Sequence, residues 1–203
     1  MKKKLLAGLA IGVMMFGMTG MASADTIVDT GTNQAGSNWT LSNSQWLAGQ
    51  FSLSQAYTIT DVEGFMWGGS GSTATVALYT DGGTVPVTEL FSKQFTAGTD
   101  ASHDWYGASG LSWALAAGTY WASFEVRAGD TYWGSLTGSA LHPLGKEAYH
   151  PLNSLGWVNY DNLNLAVRIS GDTGNNPVPE PATMLLMGTG LAGLIGARRK
   201  NKK

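Results

Sequence analysis

The stretch Thr73-Ala-Thr-Val-Ala-Leu-Tyr79 has the pattern that decides the fold, because its residues alternate between two faces with a period of two. Ala74, Val76 and Leu78 are predicted to share one face of a β-strand and to point into a core. An Asp-Gly-Gly turn separates this strand from a return strand predicted at residues 89–95. The two segments together predict an antiparallel pair of strands.

The same alternation recurs in the central part of the chain. It predicts further strands at 26–29, 45–53, 57–67, 111–115, 119–126, 131–136 and 163–169. A turn at 116–118 is expected to send the chain back along the preceding strand. Residues 137–156 are expected to form a long irregular loop. About nine short strands without an amphipathic helix predict an all-β fold, a single antiparallel β-sandwich of jelly-roll-like form.

Alternation also predicts which side chains face outward in two of these strands. In the strand at 119–126 the outward face is predicted to hold Trp121, Ser123 and Glu125, opposite an inward face of aromatic and aliphatic residues. In the strand at 163–169 the outward residues are expected to be Asn164, Ala166 and Arg168. Trp121 is therefore expected to be exposed.

The charge of the chain is segregated between its tails and its middle. Residues 25–176 hold only four Lys and Arg against 13 Asp and Glu, a net charge of −9, whereas the whole chain carries −2. An acidic domain of this kind argues against nucleic acid and against direct adhesion to anionic lipid. The absence of cysteine excludes disulfides, thiol nucleophiles and thiolate metal sites.

The N-terminus has the three parts of a secretory signal peptide. A run of three lysines is followed by an apolar segment, and Ala22-Ser23-Ala24 is a cleavage site of small residues. Residues 1–24 are therefore predicted to be removed, so that the mature chain begins at Asp25. The predicted β-sandwich spans 25–171, and the Gly/Asn/Pro-rich segment 172–178 is a linker.

The C-terminus, 179–203, is a second targeting segment. Pro179-Glu180-Pro181 precedes sixteen uncharged residues, 182–197, and the chain then ends in a basic tail whose first residues are Arg198, Arg199 and Lys200. A helix of that length spans roughly 24 Å, which crosses a bilayer with local thinning or snorkelling. The basic residues favour a cytoplasmic position for its far end. An ordinary tail anchor or a buried core helix is the alternative interpretation.

These C-terminal residues closely resemble the PEP-CTERM protein-sorting signal of Gram-negative bacteria. The resemblance covers the Val-Pro-Glu-Pro start, the Gly/Leu-rich helix and the basic stop, and the β-sandwich in front of it is similar to domains that often precede such tails. It implies an exported protein that the inner membrane holds transiently and that an exosortase processes near residues 179–181. It further implies delivery to the cell surface or to an exopolysaccharide matrix.

No arrangement of catalytic residues stands out. The chain has no G-x-S-x-G, H-E-x-x-H or P-loop motif, and the spacing of His103, His142 and His150 is not that of a zinc pair. Carboxylate pairs such as Asp61 and Glu63 are the residue types that a glycosidase needs, but an acidic domain contains such pairs by chance. We therefore predict no enzyme activity, no cofactor and no metal site. The polar loop 31–38 leaves open whether calcium is bound.

Aromatic residues offer the one surface that suggests a ligand. Trp121, Trp105, Tyr106 and Trp133 fall on the polar face of a strand or near loops, and a flat exposed ring can stack on the C–H face of a sugar. The alternative is that neighbouring loops bury these rings. The first hypothesis for function is accordingly a structural protein of an exopolysaccharide or biofilm matrix, the second is a carbohydrate-binding module, and the third is a glycan hydrolase.

Overall fold

Thirteen β-strands and no helix occur in the computed structural model within the residues that it describes, which are 24–32, 38–98, 102–138, 144–151 and 156–173. The strands are β1 (Asp25–Asp29), β2 (Asn38–Leu41), β3 (Gln45–Leu53), β4 (Tyr57–Gly68), β5 (Thr73–Asp81), β6 (Pro86–Thr96), β7 (Asp104–Ala108), β8 (Trp113–Leu115), β9 (Gly118–Glu125), β10 (Gly134–Thr137), β11 (Glu147–Pro151), β12 (Val158–Asn159) and β13 (Val167–Asp172). The predicted all-β class is confirmed.

The strands form two antiparallel sheets. The seven-stranded sheet has the order β1-β13-β4-β10-β2. In addition, β7 and β8 pair with β4 along the edge opposite to β13. The six-stranded sheet has the order β12-β11-β3-β9-β5-β6. The predicted pairing of 73–79 with 89–95 is confirmed as the β5–β6 hairpin. β2 is the end strand of the seven-stranded sheet, and β12 is the end strand of the six-stranded sheet, next to β11. β2 and β11 both form hydrogen bonds to the segment that precedes β13.

One hydrophobic core fills the space between the two sheets. Val76 and Leu78 of β5, Phe124 of β9, and Val62 and Met66 of β4 are all buried in it. Full burial of an aliphatic or aromatic side chain of this size contributes about 1.5–3 kcal/mol. A domain without disulfides therefore depends on this interior for its stability.

Close approach of the two sheets explains one glycine in β4. A Cβ atom placed on Gly64 would lie 3.0 Å from Cε1 of Phe124, which belongs to the opposite sheet, and would also collide with Leu136. Glycine at this position lets the Phe124 ring pack directly on the β4 backbone.

The central strands of the six-stranded sheet are buried on both faces, which corrects the predicted outward face of β9. Trp121, Ser123 and Glu125 each have 0% exposure. Trp121 belongs to a second apolar cluster on the outer face of this sheet, whose other members are Ala48, Ala77, Tyr79 and Ala148, and Val85 and Trp157 pack against this cluster. Alternation placed these residues on the correct side of β9, but side chains from loops cover that side.

The turn at 116–118 connects the two sheets instead of closing a hairpin. β8 pairs with β4 in the seven-stranded sheet, whereas β9 pairs with β3 and β5 in the six-stranded sheet. The prediction that the second strand runs back along the first was therefore wrong. A short turn allows either arrangement, and the core decides which sheet each strand joins.

The last predicted strand begins later than expected. Leu163 and Leu165 are buried as predicted, but Asn164 has a left-handed φ of 53° and β13 starts only at Val167. Ala166 was predicted to face outward, and it is fully buried. Within the predicted loop 137–156 the structure also places β11, whose five residues pair with β3.

Both predicted targeting segments lie outside the described residues, except for Ala24 and Asp25 at the start of the domain. Ala24 is exposed and Asp25 is the first residue of β1. Nowhere in the described part of the chain is there a helix with the length and apolar character that a membrane span requires. The signal peptide 1–24 and the spanning helix 182–197 stay predictions.

Candidate ligand-binding site

Trp121, the first predicted sugar contact, is a packed residue of the interior. Its indole Nε1 donates a 2.8 Å hydrogen bond to Oδ1 of Asp81, and its ring belongs to the apolar cluster on the outer face of the six-stranded sheet. The prediction that this ring is exposed was wrong, because β9 is a central strand and loops cover its outer face. A fully buried ring presents no face to a polysaccharide.

Beside Trp121 a network of charged side chains runs from the interior of the protein to its surface. Glu125 is fully buried, and its Oε2 accepts a 2.6 Å hydrogen bond from Nε of Arg127, while its Oε1 accepts bonds from Ser123 and Tyr79. Arg127 also donates to Oε2 of Glu89 at 2.8 Å, nearer the surface. The two carboxylates thus share one guanidinium, which balances the buried charge.

These contacts shift three pKa values in this network. Burial, followed by the negative charge of Glu125, raises the pKa of Tyr79, so its hydroxyl stays a proton donor. Burial acts to lower the pKa of Arg127, but hydrogen bonds to Glu125 and Glu89 outweigh it and raise that pKa. Desolvation acts to raise the pKa of Glu89, but hydrogen bonds led by Arg127 outweigh it and lower that pKa. The arrangement is that of a satisfied structural ion-pair network.

Two of the other predicted aromatic contacts lie in β7, on opposite faces of the seven-stranded sheet. Trp105 is half-buried, and the guanidinium carbon of Arg168 lies 3.9 Å from its ring centroid, so one face of the indole is already occupied. Tyr106, the next residue, points the other way and packs against the core. Neither Trp105 nor Tyr106 therefore has a ring that is exposed on both faces.

Trp133 is the predicted contact that the structure leaves open, with 74% of its surface exposed. Trp67, which was not predicted as a contact, is 46% exposed. The two tryptophans flank the cross-strand pair Gly68–Gly134, so they lie on neighbouring positions of the same sheet. They form an exposed aromatic surface, and they line neither of the two clefts described next.

A cleft lined by three aromatic rings lies near the edge of the sandwich, beside β2 at the end of one sheet and β11 next to the end of the other. We call it the aromatic groove; it measures about 300 Å³ and is lined by Trp39, Gln45, Tyr149, Tyr160 and Leu163. Tyr160 meets Trp39 edge-on at 5.5 Å between ring centroids and meets Tyr149 edge-on at 6.1 Å. Edge-to-face packing of this kind fixes the rings relative to one another.

Hydrogen bonds hold the walls of the aromatic groove in place. Nε1 of Trp39 donates a 2.8 Å bond to the carbonyl of Leu163, and the Tyr160 amide donates a 2.8 Å bond to the carbonyl of Glu147. Gln45 donates through its side chain to the carbonyl of Thr40 at 2.8 Å, which leaves its amide oxygen for other partners. The groove combines apolar ring faces with a polar group, as preformed ligand pockets commonly do.

A second cleft adjoins the aromatic groove along β11. We call it the polar cleft; it measures about 390 Å³, and its lining residues are Leu144, Gly145, Lys146, Glu147, Asp161, Asn162, Asn164 and Leu165. The buried Glu147 accepts 2.6 Å hydrogen bonds from the backbone amides of Asn164 and Leu165, one on each carboxylate oxygen. Glu147 therefore anchors the segment that separates the two clefts.

Histidine and carboxylate side chains do not converge on a metal site among the described residues. His103 stacks on Phe65 at 5.8 Å, and His150 packs against Trp46 at 5.0 Å. His142 and residues 33–37 of the polar loop that raised the calcium question lie outside the described part. His103 and His150 thus belong to two different aromatic clusters.

The residues of the aromatic groove escaped prediction because they come from three separate parts of the sequence. Trp39 lies in β2, for which no strand was predicted, and Tyr149 and Tyr160 lie in or near the segment that was expected to be irregular. The one local signal was the density of aromatic and polar residues between 149 and 164. The sorting residues Pro179, Glu180 and Pro181 and the basic stop Arg198, Arg199 and Lys200 lie outside the described residues.

Comparison with known proteins supports the interpretation of the C-terminal tail. No curated protein matches the chain. Residues 177–200 match the PEP-CTERM protein-sorting motif. The match covers the Pro-Glu-Pro sequence at 179–181, the apolar segment and the start of the basic stop. The chain therefore carries a PEP-CTERM sorting motif behind a β-rich domain, which indicates an exported protein that a membrane anchors until exosortase processes it.

Proposed function

We propose that this protein is a non-catalytic component of an exopolysaccharide matrix, and that its exported domain holds neutral polysaccharide in the aromatic groove. The observation that carries the proposal is the cleft formed by Trp39, Tyr149 and Tyr160 at the sandwich edge. Rings held by edge-to-face contacts lose little freedom when a ligand binds, so their apolar area is available for stacking. The sorting motif supplies the route of export.

The charge of the domain supports a neutral ligand. A net charge of −9 over residues 25–176 repels a polyanion, and the repulsion is strongest at low ionic strength. A neutral polysaccharide carries no such cost. An acidic polymer, by contrast, would also need a bridging cation to offset this repulsion.

The expected affinity of one domain is low. An aromatic contact contributes about 0.5–1.5 kcal/mol beyond simple burial, so a few rings give weak binding. Many copies along a polymer or on a surface raise the overall avidity by orders of magnitude without any new contact. A matrix protein displayed in many copies is consistent with such a site.

The hydrolase hypothesis finds less support in the arrangement of carboxylates. Glu89 and Glu125 approach each other through Arg127, but Glu125 is fully buried and its oxygens are engaged by Arg127, Ser123 and Tyr79. A general acid or nucleophile must reach the scissile bond, so a carboxylate held in this way favours a structural role.

Sorting is tested by deleting residues 179–203 in the native host. We expect the domain to appear as a secreted or periplasmic protein, whereas the full chain is membrane-bound before processing. Mass spectrometry of the mature C-terminus of the full chain should locate the processing site near residues 179–181. A truncated protein that stays in the membrane fraction would show that another segment anchors it.

Binding is tested by Tyr160→Ala, with Trp133→Ala as the matched control. Tyr160 is 42% exposed, so its removal should spare the core, and we expect binding to neutral polysaccharide to weaken by roughly two- to tenfold. Trp133→Ala removes an even more exposed ring that does not line the groove and should leave binding unchanged. Loss of binding in the control alone would move the site to the Trp67–Trp133 surface.

A further inference from the structure

The polar cleft lies directly beside the aromatic groove on the same strand. Glu147 lines the polar cleft and Tyr149 lines the aromatic groove, and these residues are two positions apart on β11. Residues i and i+2 share a face and lie about 7 Å apart along a strand. The next segment repeats the arrangement, since Tyr160 lines one cleft and Asp161 the other. The two clefts are therefore neighbouring positions along one edge of the sandwich.

The wall between the clefts is held in a fixed conformation. Both oxygens of the buried Glu147 carboxylate accept backbone amides of the wall at 2.6 Å, and Asn164 adopts its left-handed φ of 53° within this wall. The amide of Glu147 in turn donates to Oδ1 of Asp161 at 3.3 Å. A cleft whose walls are held in this way loses less conformational entropy when a ligand binds.

Polar groups with spare hydrogen-bonding capacity line the polar cleft. Each carboxylate oxygen of Asp161 accepts one long bond of 3.3 Å, so lone pairs remain. In the described part of the chain, the side-chain amides of Asn162 and Asn164 make no hydrogen bond. A carboxylate accepts hydroxyl protons, and an amide both donates and accepts, which matches the donors and acceptors of sugar hydroxyls.

The charges in the polar cleft favour a neutral ligand. Asp161 forms no ion pair within the described residues, and Asp161 is exposed. Lys146 also lines the cleft, but the carboxylates of Glu147 and Asp161 outnumber its single positive charge. A carboxylate-bearing sugar would meet the Asp161 charge at close range, whereas a hydroxyl group donates to it.

From this juxtaposition we propose that the polar cleft is a second subsite of the same glycan site, in which Asp161, Asn162 and Asn164 bind the hydroxyl groups of a neutral sugar next to the one stacked in the aromatic groove. The inference rests on the proposed function, because it assumes that the aromatic groove binds a polysaccharide. It adds the second contact region and the selection against acidic chains.

The test uses the full chain in mild detergent and native gels that contain a polymer. The neutral probes are hydroxyethylcellulose, dextran and galactomannan, and alginate is the acidic probe. We expect at least one neutral polymer to retard the wild type and alginate to leave it unretarded. Asn162→Ala should weaken the neutral interaction about three- to tenfold. Asp161→Asn should permit retardation by alginate at about 0.15 M salt, where the repulsion from the more distant acidic residues is screened.

Asp25→Asn is the matched control for the change of charge, since Asp25 is an exposed residue of β1 at the far end of the seven-stranded sheet. It should leave both interactions unchanged. Equal melting temperatures establish that the variants are folded, and the exposed positions of Asp161 and Asn162 make this the expected result.

The outcomes separate the inference from the function on which it rests. If Tyr160→Ala weakens binding while Asn162→Ala binds like the wild type, the second subsite is wrong and the proposed function stands. If Asp161→Asn is still not retarded by alginate, selection by the Asp161 charge is wrong. If no neutral polymer retards the wild type, the proposed function and the inference both fail.

Discussion

The outer faces of the two sheets differ although both alternate apolar and polar residues. On the six-stranded sheet, Trp121 and Glu125 are fully buried beneath a second apolar cluster and an ion-pair network. On the seven-stranded sheet, Trp67 and Trp133 remain 46% and 74% exposed. Alternation therefore predicts on which side of a strand a residue lies, but it does not predict whether another part of the chain covers that side.

Trp121→Ala should produce the largest loss of stability. The substitution removes a fully buried indole and its hydrogen bond to Asp81, so we expect the free energy of unfolding to fall by about 3–5 kcal/mol. Urea unfolding of the domain followed by far-ultraviolet circular dichroism measures the change. A loss below about 1 kcal/mol would mean that the outer face of this sheet is open, in contradiction to the comparison.

Glu125→Ala should have the next largest effect, a loss of about 3 kcal/mol, because Arg127 and the Tyr79 hydroxyl then lose a partner in the interior. The matched control is Glu89→Ala, which removes the other carboxylate on Arg127 at a position where 37% of the side chain is exposed. The control should cost about 0.2–1 kcal/mol. Equal losses in the two variants would show that the network is solvated throughout.

The contributions of Glu63 and Glu89 to stability should depend on pH in opposite directions; Glu63 lies on the seven-stranded sheet and Glu89 on the six-stranded sheet. Desolvation, then Asp61, raises the pKa of Glu63 on the seven-stranded sheet, although Arg168 opposes this. The ionised form is thus disfavoured in the folded state, so stability is highest below the ordinary glutamate pKa and falls as pH rises through the folded value. Glu89 has a lowered pKa, so its contribution is present above the ordinary value and is lost as pH falls through the folded value.

Two isosteric variants measure this difference in melting temperature across pH. Glu63→Gln should raise the melting temperature at about pH 7 and have no effect at about pH 3, since the wild-type side chain is then protonated. Glu89→Gln should lower it at about pH 7, and this difference should vanish at about pH 3. Curves of the same sign for both variants would contradict the assigned environments.

Trp133→Ala should have the smallest effect. With 74% of the ring exposed, its removal should change the free energy of unfolding by less than about 0.5 kcal/mol. Measured beside Trp121→Ala, it compares two tryptophans that the sequence pattern had grouped together. A large loss here would indicate that this ring packs against a segment outside the described residues.

The sequence by itself was sufficient for properties that depend on neighbouring residues. The alternation of Ala74, Val76 and Leu78 predicted a strand and its inward face, because side chains alternate along any extended chain. The tail was equally readable, since a sorting motif is a contiguous stretch that its processing enzyme recognises as such, and residues 177–200 match it. The two-sheet, all-β class followed from the same local patterns.

Only the tertiary structure decided which faces are covered and where a cleft forms. Trp121 is buried because Trp157 and Val85, distant in sequence, pack on the cluster that contains it. The aromatic groove exists because Trp39 of β2 meets Tyr160 across a separation of more than one hundred residues. Alternation records the side of a strand and carries no information about what lies beyond it, so contacts between distant segments decide both burial and binding surface.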